Sequence, residues 1–381
     1  TGNSHICITR PRRFGKTVMA NMVSAFFSRG VDSTEIFSKL KIAESTGYKK
    51  HLNTHDVIRI DFSRMPRNCN SYDQYIERIE RILTQDLMEA YPKADIQEED
   101  AVWDSLDLVY ERYGCQRFIF VFDEWDCIFH KDFITDEDKK KYISFLSSLL
   151  KDKAYVLLSY MTGILPIKKY GTHSALNMFD EFSMTNPGPL AEFVGFTEEE
   201  VAALCKQYGR NLSELKEWYD GYRFGNADIY CPWDVINHVK KLLIDPQADP
   251  QAFWINTSGN GLVKRFVDKA DKTTRDEIEQ LIAGNPIEKR IRLELTYDEI
   301  DNSIDNLWSV LFTTGYLTQT GLTKDGAYKL VIPNREVREV FKLQINEWFK
   351  KSIFSNTDRL QAFWKSFEEG NTVEIEKYIN R

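Results

Sequence analysis

The run Thr9-Arg-Pro-Arg-Arg-Phe-Gly-Lys-Thr17 sets a glycine, a lysine and a threonine in succession between a short apolar stretch and a helix-forming one. That order suits phosphate chemistry. Glycine lets the backbone close around phosphate oxygens, the lysine ammonium reaches the β- and γ-phosphates, and the threonine hydroxyl holds Mg²⁺. Gly15, Lys16 and Thr17 are therefore candidates for a Walker A-type loop at the start of a helix, where anions are favoured. Arg12, Arg13 and Phe14 complete its nucleotide-binding part. The first glycine of the GxxxxGK[ST] pattern is replaced by Arg10. Arg10, Arg12 and Arg13 crowd the loop. They either touch phosphates, including those of an adjacent subunit, or form a solvated basic loop paired with surface acids; we assign the phosphate role to Arg12 and Arg13.

The second chemical group is Asp123-Glu124-Trp125-Asp126, which follows the almost continuously apolar run Arg117 to Phe122. A carboxylate at the end of such a strand can hold the water shell of Mg²⁺ opposite Thr17, and Glu124 is placed to polarise the attacking water. The plainer alternative is a polar loop closing a buried strand. Pairing with the upstream Gly-Lys-Thr favours the Walker B-type reading for Asp123 and Glu124, while Asp126 is taken as structural. Thr162, at the tip of the next apolar run, either senses the water or γ-phosphate or ends its strand for local reasons. The expected catalytic set is Lys16, Glu124 and Thr162, the metal set is Thr17 and Asp123, and the cofactors are ATP and Mg²⁺.

These residues need strands and helices to bring them together. His5 to Thr9, Asp56 to Phe62, Arg117 to Phe122 and Ala154 to Met161 read as buried strands, and Thr17 to Phe27 and Tyr72 to Tyr91 read as helices. Strands alternating with helices predict an α/β fold: a P-loop NTPase parallel sheet with helices on both faces, over 1–171. Beyond it the text becomes helical. Phe193 to Tyr208 and Asn211 to Trp218 are expected as small lid helices within 172–245, and a proline-marked linker, Ile244 to Pro250, follows. Within 246–381, a helix over Ile300 to Gly315, strands Tyr316–Thr320 and Tyr328–Ile332, and a helix from Asn334 outline a winged-helix-like C-terminal module.

Composition bounds the partners. A 42% hydrophobic, 28% charged chain of 381 residues with a net charge of −8 is an ordinary globular protein, not one that coats nucleic acid by global positive charge. Its six cysteines form no CxxC pair and no zinc-type cluster, which fits reduced thiols and a cytoplasmic location. No apolar stretch is long enough to span a membrane and no signal-peptide layout opens the sequence. Because it starts at Thr1 and enters a strand almost at once, further residues are expected ahead of it.

Several ordered motifs carry a family resemblance: ITRPRRFGKT (Ile8 to Thr17), FVFDEWD (Phe120 to Asp126), TGILPI (Thr162 to Ile167), LNMFDEFSM (Leu176 to Met184), FVGFTEEEV (Phe193 to Val201), WYDGYRFG (Trp218 to Gly225), YCPWDV (Tyr230 to Val235), LFTTGYLT (Leu311 to Thr318) and IPNREVREVF (Ile332 to Phe341). With them the chain resembles the bacterial AAA-ATPase-like family, whose members often carry a C-terminal PD-(D/E)xK nuclease-like domain and share the arginine at the Arg10 position. The resemblance implies an ATPase core, a helical lid and a winged-helix-like module, related in plan to signal-transducing ATPases. It implies that Pro232 and the Tyr219–Phe224 turn lie near the lid–core junction, where Arg223 senses the nucleotide. It also implies an upstream segment that helps hold adenine and a nuclease-like domain beginning near Arg381. Glu374-Ile-Glu-Lys377 follows helical text, so no nuclease site is assigned.

The function expected is an ATP-binding and ATP-hydrolysing switch that relays nucleotide state through its lid and winged helix to a protein effector or nuclease-like domain. The alternatives are a nucleotide-sensing scaffold without turnover and, more weakly, a DNA-binding ATPase acting through Arg335 and Arg338. A small-molecule kinase fits least, given the Asp–Glu pair and the long helical appendage. No membrane partner is expected, and the sequence leaves oligomeric state open.

Overall fold

The computed structural model describes residues 2–164, 166–167, 175–253, 261–293, 295, 303–355 and 365. In chain order the first part runs β1 (His5–Thr9), α1 (Lys16–Phe27), the short helices α2 (Thr34–Phe37) and α3 (Tyr48–His51), β2 (Asp56–Asp61), α4 (Tyr72–Ala90), α5 (Val102–Arg112), β3 (Phe118–Asp123), α6 (Asp136–Leu150) and β4 (Val156–Gly163). Then come β5 (Asp180–Phe182), α7 (Glu198–Tyr208), α8 (Leu212–Tyr219), β6 (Tyr222–Phe224), β7 (Ala227–Ile229) and α9 (Pro232–Leu242). The last part holds α10 (Gly261–Lys269), α11 (Lys272–Ile282), β8 (Ile287–Lys289), α12 (Ile304–Thr313), β9 (Thr318–Leu322), β10 (Tyr328–Val331) and α13 (Arg335–Ser355). Leu165 of the TGILPI motif and the Glu374–Lys377 cluster lie outside the described residues.

Five strands form one parallel sheet in the order β2-β3-β4-β1-β5. The α/β fold with a parallel sheet is thus the one expected, with two corrections. Residues after 171 contribute a strand to it, because β5 pairs alongside β1 through Ile6, Cys7 and Ile8. The expected helix from Phe193 begins only at Glu198, where Thr197 and Glu200 close a reciprocal capping box. In a strand successive side chains face opposite ways, and both faces here are buried. Phe118, Phe120 and Phe122 join Cys7 and Met161 in a core beneath α4, α5 and α6. Ile119 and Val121 join Ile8 and Tyr160 beneath α1, and that second core continues without a break into Tyr222, Phe224, Trp308, Phe312, Leu330 and Phe341. A three-stranded antiparallel sheet, β8-β10-β9, accompanies α12 and α13, and β6 and β7 form a separate hairpin. No described helix is long and apolar enough to cross a membrane.

The junction between the β6 turn and α13 is tight. Asn334 accepts from the Val337 N–H through Oδ1 at 3.0 Å, capping the helix, and donates through Nδ2 to the Asp220 carbonyl at 2.9 Å. Gly221 has φ +100°, and a Cβ there would lie 2.0 Å from the Pro333 carbonyl oxygen. A side chain is therefore excluded on two counts. Gly221→Ala is expected to cost about 2 kcal/mol or more, read as a lower denaturation midpoint in urea.

Candidate functional site

The loop between β1 and α1 is fixed from both ends. Its first residue donates from Arg10 N–H to the Gly163 carbonyl at 3.2 Å, tying it to the tip of β4. The Arg10 side chain is buried and donates to the carbonyls of Thr9 (3.0 Å), Phe182 (2.8 Å) and Leu190 (3.1 Å), with its guanidinium 4.8 Å from the Phe224 ring centre. Burial pulls its pKa down to about 10, so it stays charged at neutral pH. The residue in the first-glycine position thus staples the loop to β5 and the turn after it. At the other end, Gly15 precedes α1 in a left-handed conformation and its carbonyl accepts from Met19 N–H at 2.9 Å.

Lys16 is 7% exposed, and its ammonium donates to the carbonyls of Arg10 (3.0 Å) and Pro11 (2.9 Å). Burial lowers its pKa to about 8; the carboxylates of Asp126, Glu124 and Asp123 act in the opposite direction, and the Arg12 charge adds to the lowering. The acidic group from β3 therefore shares an electrostatic neighbourhood with the loop lysine. Burial raises the Glu124 carboxyl, Lys16 opposes that rise, and Asp123, Asp126 and Asp61 add to it.

The strand order explains the meeting. β4 lies between β1 and β3, so its tip touches both the loop and the acids. The Thr162 hydroxyl donates to Asp123 Oδ1 at 2.6 Å and accepts from the Glu124 N–H at 3.3 Å. Ile164 N–H donates to Asp126 Oδ2 at 2.9 Å. A Cβ on Gly163 would lie 2.4 Å from Trp125 Nε1 and 3.0 Å from Asp126 Oδ1, so a side chain here would displace the Trp125 ring and crowd the Asp126 carboxylate. Glu124 has φ +51°, an uncommon conformation for a residue with a side chain.

A cavity of about 640 Å³ opens here. Arg12, Arg13, Gly15, Lys16 and Thr17 line it from the loop side, Glu124, Asp126, Cys127 and Lys131 from the β3 side, and Val18, Pro232, Trp233 and Ile236 form an apolar third wall. Asp123 and Thr162 stand behind the wall, 1% and 0% exposed. Since the Thr162 hydroxyl proton is given to Asp123, this residue positions the acids and does not face the cavity as a sensor. Phe14 and Arg223 lie elsewhere. The Phe14 ring packs edge-on against Tyr222 at 4.8 Å and close to Phe224 at 5.2 Å, leaving only its backbone to the loop. Arg223, between these two aromatics in sequence, faces the opposite side of β6, donating from Nε to the Gly225 carbonyl at 3.4 Å, while its backbone N–H donates to Thr318 Oγ1 at 3.1 Å. Neither side chain reaches the cavity.

Sequence reasoning missed Trp233 and Ile236 as cavity residues and left Asp126 as merely structural. Only Trp233 falls within the YCPWDV motif; in the structure Trp233 and Ile236, three apart on α9, are 44% and 40% exposed, so they are not needed for the core. Thr162→Val should leave Asp123 without its donor and the Glu124 N–H without its acceptor, lowering stability by about 1–3 kcal/mol. Thr162→Ser should lose much less, as read by urea denaturation.

Residues 1–172 match the model of the AAA-ATPase-like family, described as a predicted AAA-ATPase. An uncharacterised protein encoded in the vnfD 5′ region of Azotobacter chroococcum mcd 1 is 25% identical over 346 residues, covering 88% of this chain and 62% of that protein. The chain therefore spans less than two thirds of the length of that relative. Among solved structures, the ORC2 protein of Aeropyrum pernix in its ADPNP-ADP complexes aligns at 11% identity over 92% of this chain and 89% of its own, with a TM-score of 0.39. Its ADP form aligns at 11% identity over 91% and 88%, with a TM-score of 0.34. Scores this low carry no argument about shared architecture. The match to the AAA-ATPase-like family model thus covers the segment that holds the loop, the acids and the β4 tip.

Proposed function

We propose that the cavity binds ATP with Mg²⁺ and that the protein hydrolyses it. The observation that carries this reading is the buried Lys16 ammonium at the start of α1, held in the combined field of Asp123, Glu124 and Asp126. Helix N-termini and their free N–H groups favour phosphate, and Arg12 and Arg13 add positive charge on the same wall. The volume is in the range of sites for nucleotide-sized ligands, and the wall of Val18, Pro232, Trp233 and Ile236 offers the base an apolar surface.

The donor chemistry suits Mg²⁺, which takes hard oxygen ligands and retains several waters. Thr17 is exposed in the first turn of α1. Asp123 uses Oδ1 for Thr162, and its Oδ2 has no protein partner among the described residues. Thr17 would hold the ion directly and Asp123, set behind the wall, through the ion's water shell; when bound the ion would neutralise phosphate charge. Glu124, with its carboxyl raised by burial, orients the attacking water and takes its proton as the bond to the γ-phosphorus forms and the bond to ADP breaks. Thr162 keeps Asp123 and Glu124 in register.

In the same proposal 1–171 is the ATPase core, 172–245 a lid and 246–381 a winged-helix-like module that passes nucleotide state to a protein effector. Supporting this, the Cys231 thiol, just before α9, donates to the Arg13 carbonyl at 3.8 Å, and Phe14 is seated against the β6 aromatics. The DNA-binding alternative is weaker: Arg335 is taken up by Glu217 at 3.2 Å and the Trp218 ring at 4.6 Å.

Lys16→Ala should weaken ATP affinity by roughly ten- to a hundredfold, the loss of a charge-assisted contact of about 1.5–3 kcal/mol. Glu124→Gln should keep ATP bound while phosphate release falls by about 10²–10⁴. Retained turnover in Glu124→Gln, or none in the wild type with Mg²⁺, would favour the scaffold reading. In the ligand-free protein Lys16 loses its proton near pH 8, and bound phosphate would raise that value. Binding then takes up a proton above pH 8. ATP affinity should be flat below that pH and fall above it by up to about tenfold per unit, whereas Lys16→Ala, titrated by calorimetry, should show no such step.

A further inference from the structure

The parallel sheet ends at β2, and the outer edge of that strand is open for most of its length. The chain after α1 closes only its beginning. His55 N–H donates to the Phe27 carbonyl and the His55 carbonyl accepts from Arg29 N–H, both at 2.9 Å. On the inner side, Phe62 N–H donates to the Asp123 carbonyl at 3.0 Å. Alternation along the strand therefore turns the N–H and C=O groups of Val57 and Arg59 outward, together with the Asp61 N–H. Among the described residues none of these groups has a hydrogen-bond partner, whereas the Asp61 carbonyl closes a turn with Arg64 N–H at 3.2 Å.

This ladder lies along a groove of about 680 Å³ between β2, the end of α1 and α4. Ile79, Ile82, Leu83 and Leu87 of α4 give it an apolar wall. Arg59 and Arg78 also line it; among the described residues neither forms an ion pair, and Arg59 Nε is buried without an acceptor. The other arginines of the groove are already matched: Arg29 by Asp56 at 2.8 Å and Arg64 by Asp61 at 3.0 Å. Asp86 offsets part of the remaining charge, leaving two unmatched guanidinium groups against one carboxylate.

We propose that the β2 edge receives an extended segment of a partner protein in which carboxylates alternate with aliphatic side chains, added as a sixth strand. Main-chain pairing with Val57 and Arg59 supplies affinity, and side chains alternating to the two faces supply selectivity. One face meets Arg59, whose unmatched charge and buried Nε call for an anionic acceptor. The other meets the α4 wall, where Arg78 stands among the aliphatic residues. The open stretch from Val57 to Asp61 has room for about five residues at about 3.3 Å each. A second copy of the same edge fits poorly, since it would bring Arg59 against Arg59.

The test uses the whole 381-residue chain and fluorescein-labelled Glu-Val-Glu-Val-Glu-Val with blocked ends, followed by fluorescence anisotropy. The acidic peptide should bind, and its Lys-Val-Lys-Val-Lys-Val counterpart and an alternately N-methylated acidic peptide should each bind about tenfold more weakly or worse. Arg59→Glu combined with Arg78→Glu should reverse the preference between the two unmethylated peptides. Val57→Pro removes an outward N–H, a place where edge strands tolerate proline, and should weaken binding by a similar factor with an unchanged melting profile. If the double variant does not fold, Val57→Pro and the methylated peptide decide. The proposal is overturned if the acidic peptide does not bind, if the basic peptide binds as well, or if Val57→Pro leaves binding intact. Self-association abolished by Val57→Pro would assign the edge to a second copy and overturn it too.

Discussion

An ammonium taken out of water must be compensated, and the arrangement around Lys16 follows from that requirement. Two loop carbonyls at 2.9 and 3.0 Å satisfy two of its three protons, and the carboxylates beyond them supply the countercharge. Neither is sufficient alone. The carbonyls are in place only because Arg10 pins the loop to β5 and β4, and the carboxylates only because β3 ends beside the β4 tip. A pair of residues separated by more than a hundred positions thus depends on one intervening strand.

That strand also decides how the acids are held. A carboxylate buried as deeply as Asp123 is costly unless hydrogen-bonded, and Thr162 answers it with a 2.6 Å bond while accepting from the next residue's N–H. Asp126 is held in parallel by the backbone of Ile164. Both bonds come from the two sides of Gly163, whose missing side chain is what allows Trp125 to approach. The catalytic geometry proposed here is therefore a property of the β3–β4 contact more than of any one side chain.

Much of this was legible in the sequence because it is local. Short apolar runs such as RFIFVF, rich in aromatic and β-branched residues, read as strands buried on both faces, and the Gly-Lys-Thr succession between such a run and a helix reads as a phosphate loop. What escaped was decided at long range. β5 is three residues long with two acids, a pattern that gives no strand signal, and it forms because β1 offers an edge. Phe14 has a loop position by spacing, yet its ring goes where Tyr222 and Phe224 make room for it. Arg223 is placed by strand alternation on the far side of those same aromatics. Trp233 and Ile236 reach the cavity through the docking of α9, which no spacing rule connects to residue 16.

The burial of Phe14 has a bearing on inheritance. Its ring, with Ile8 and Ala20, belongs to an apolar core completed by residues well past 172. The stretch recognisable as a family and the stretch that can hide its own oily surface from water therefore have different limits. A gene fragment ending at the first limit would encode a sheet with one face covered only by α1, so recombination that keeps this machinery working has to carry the later segments along with it.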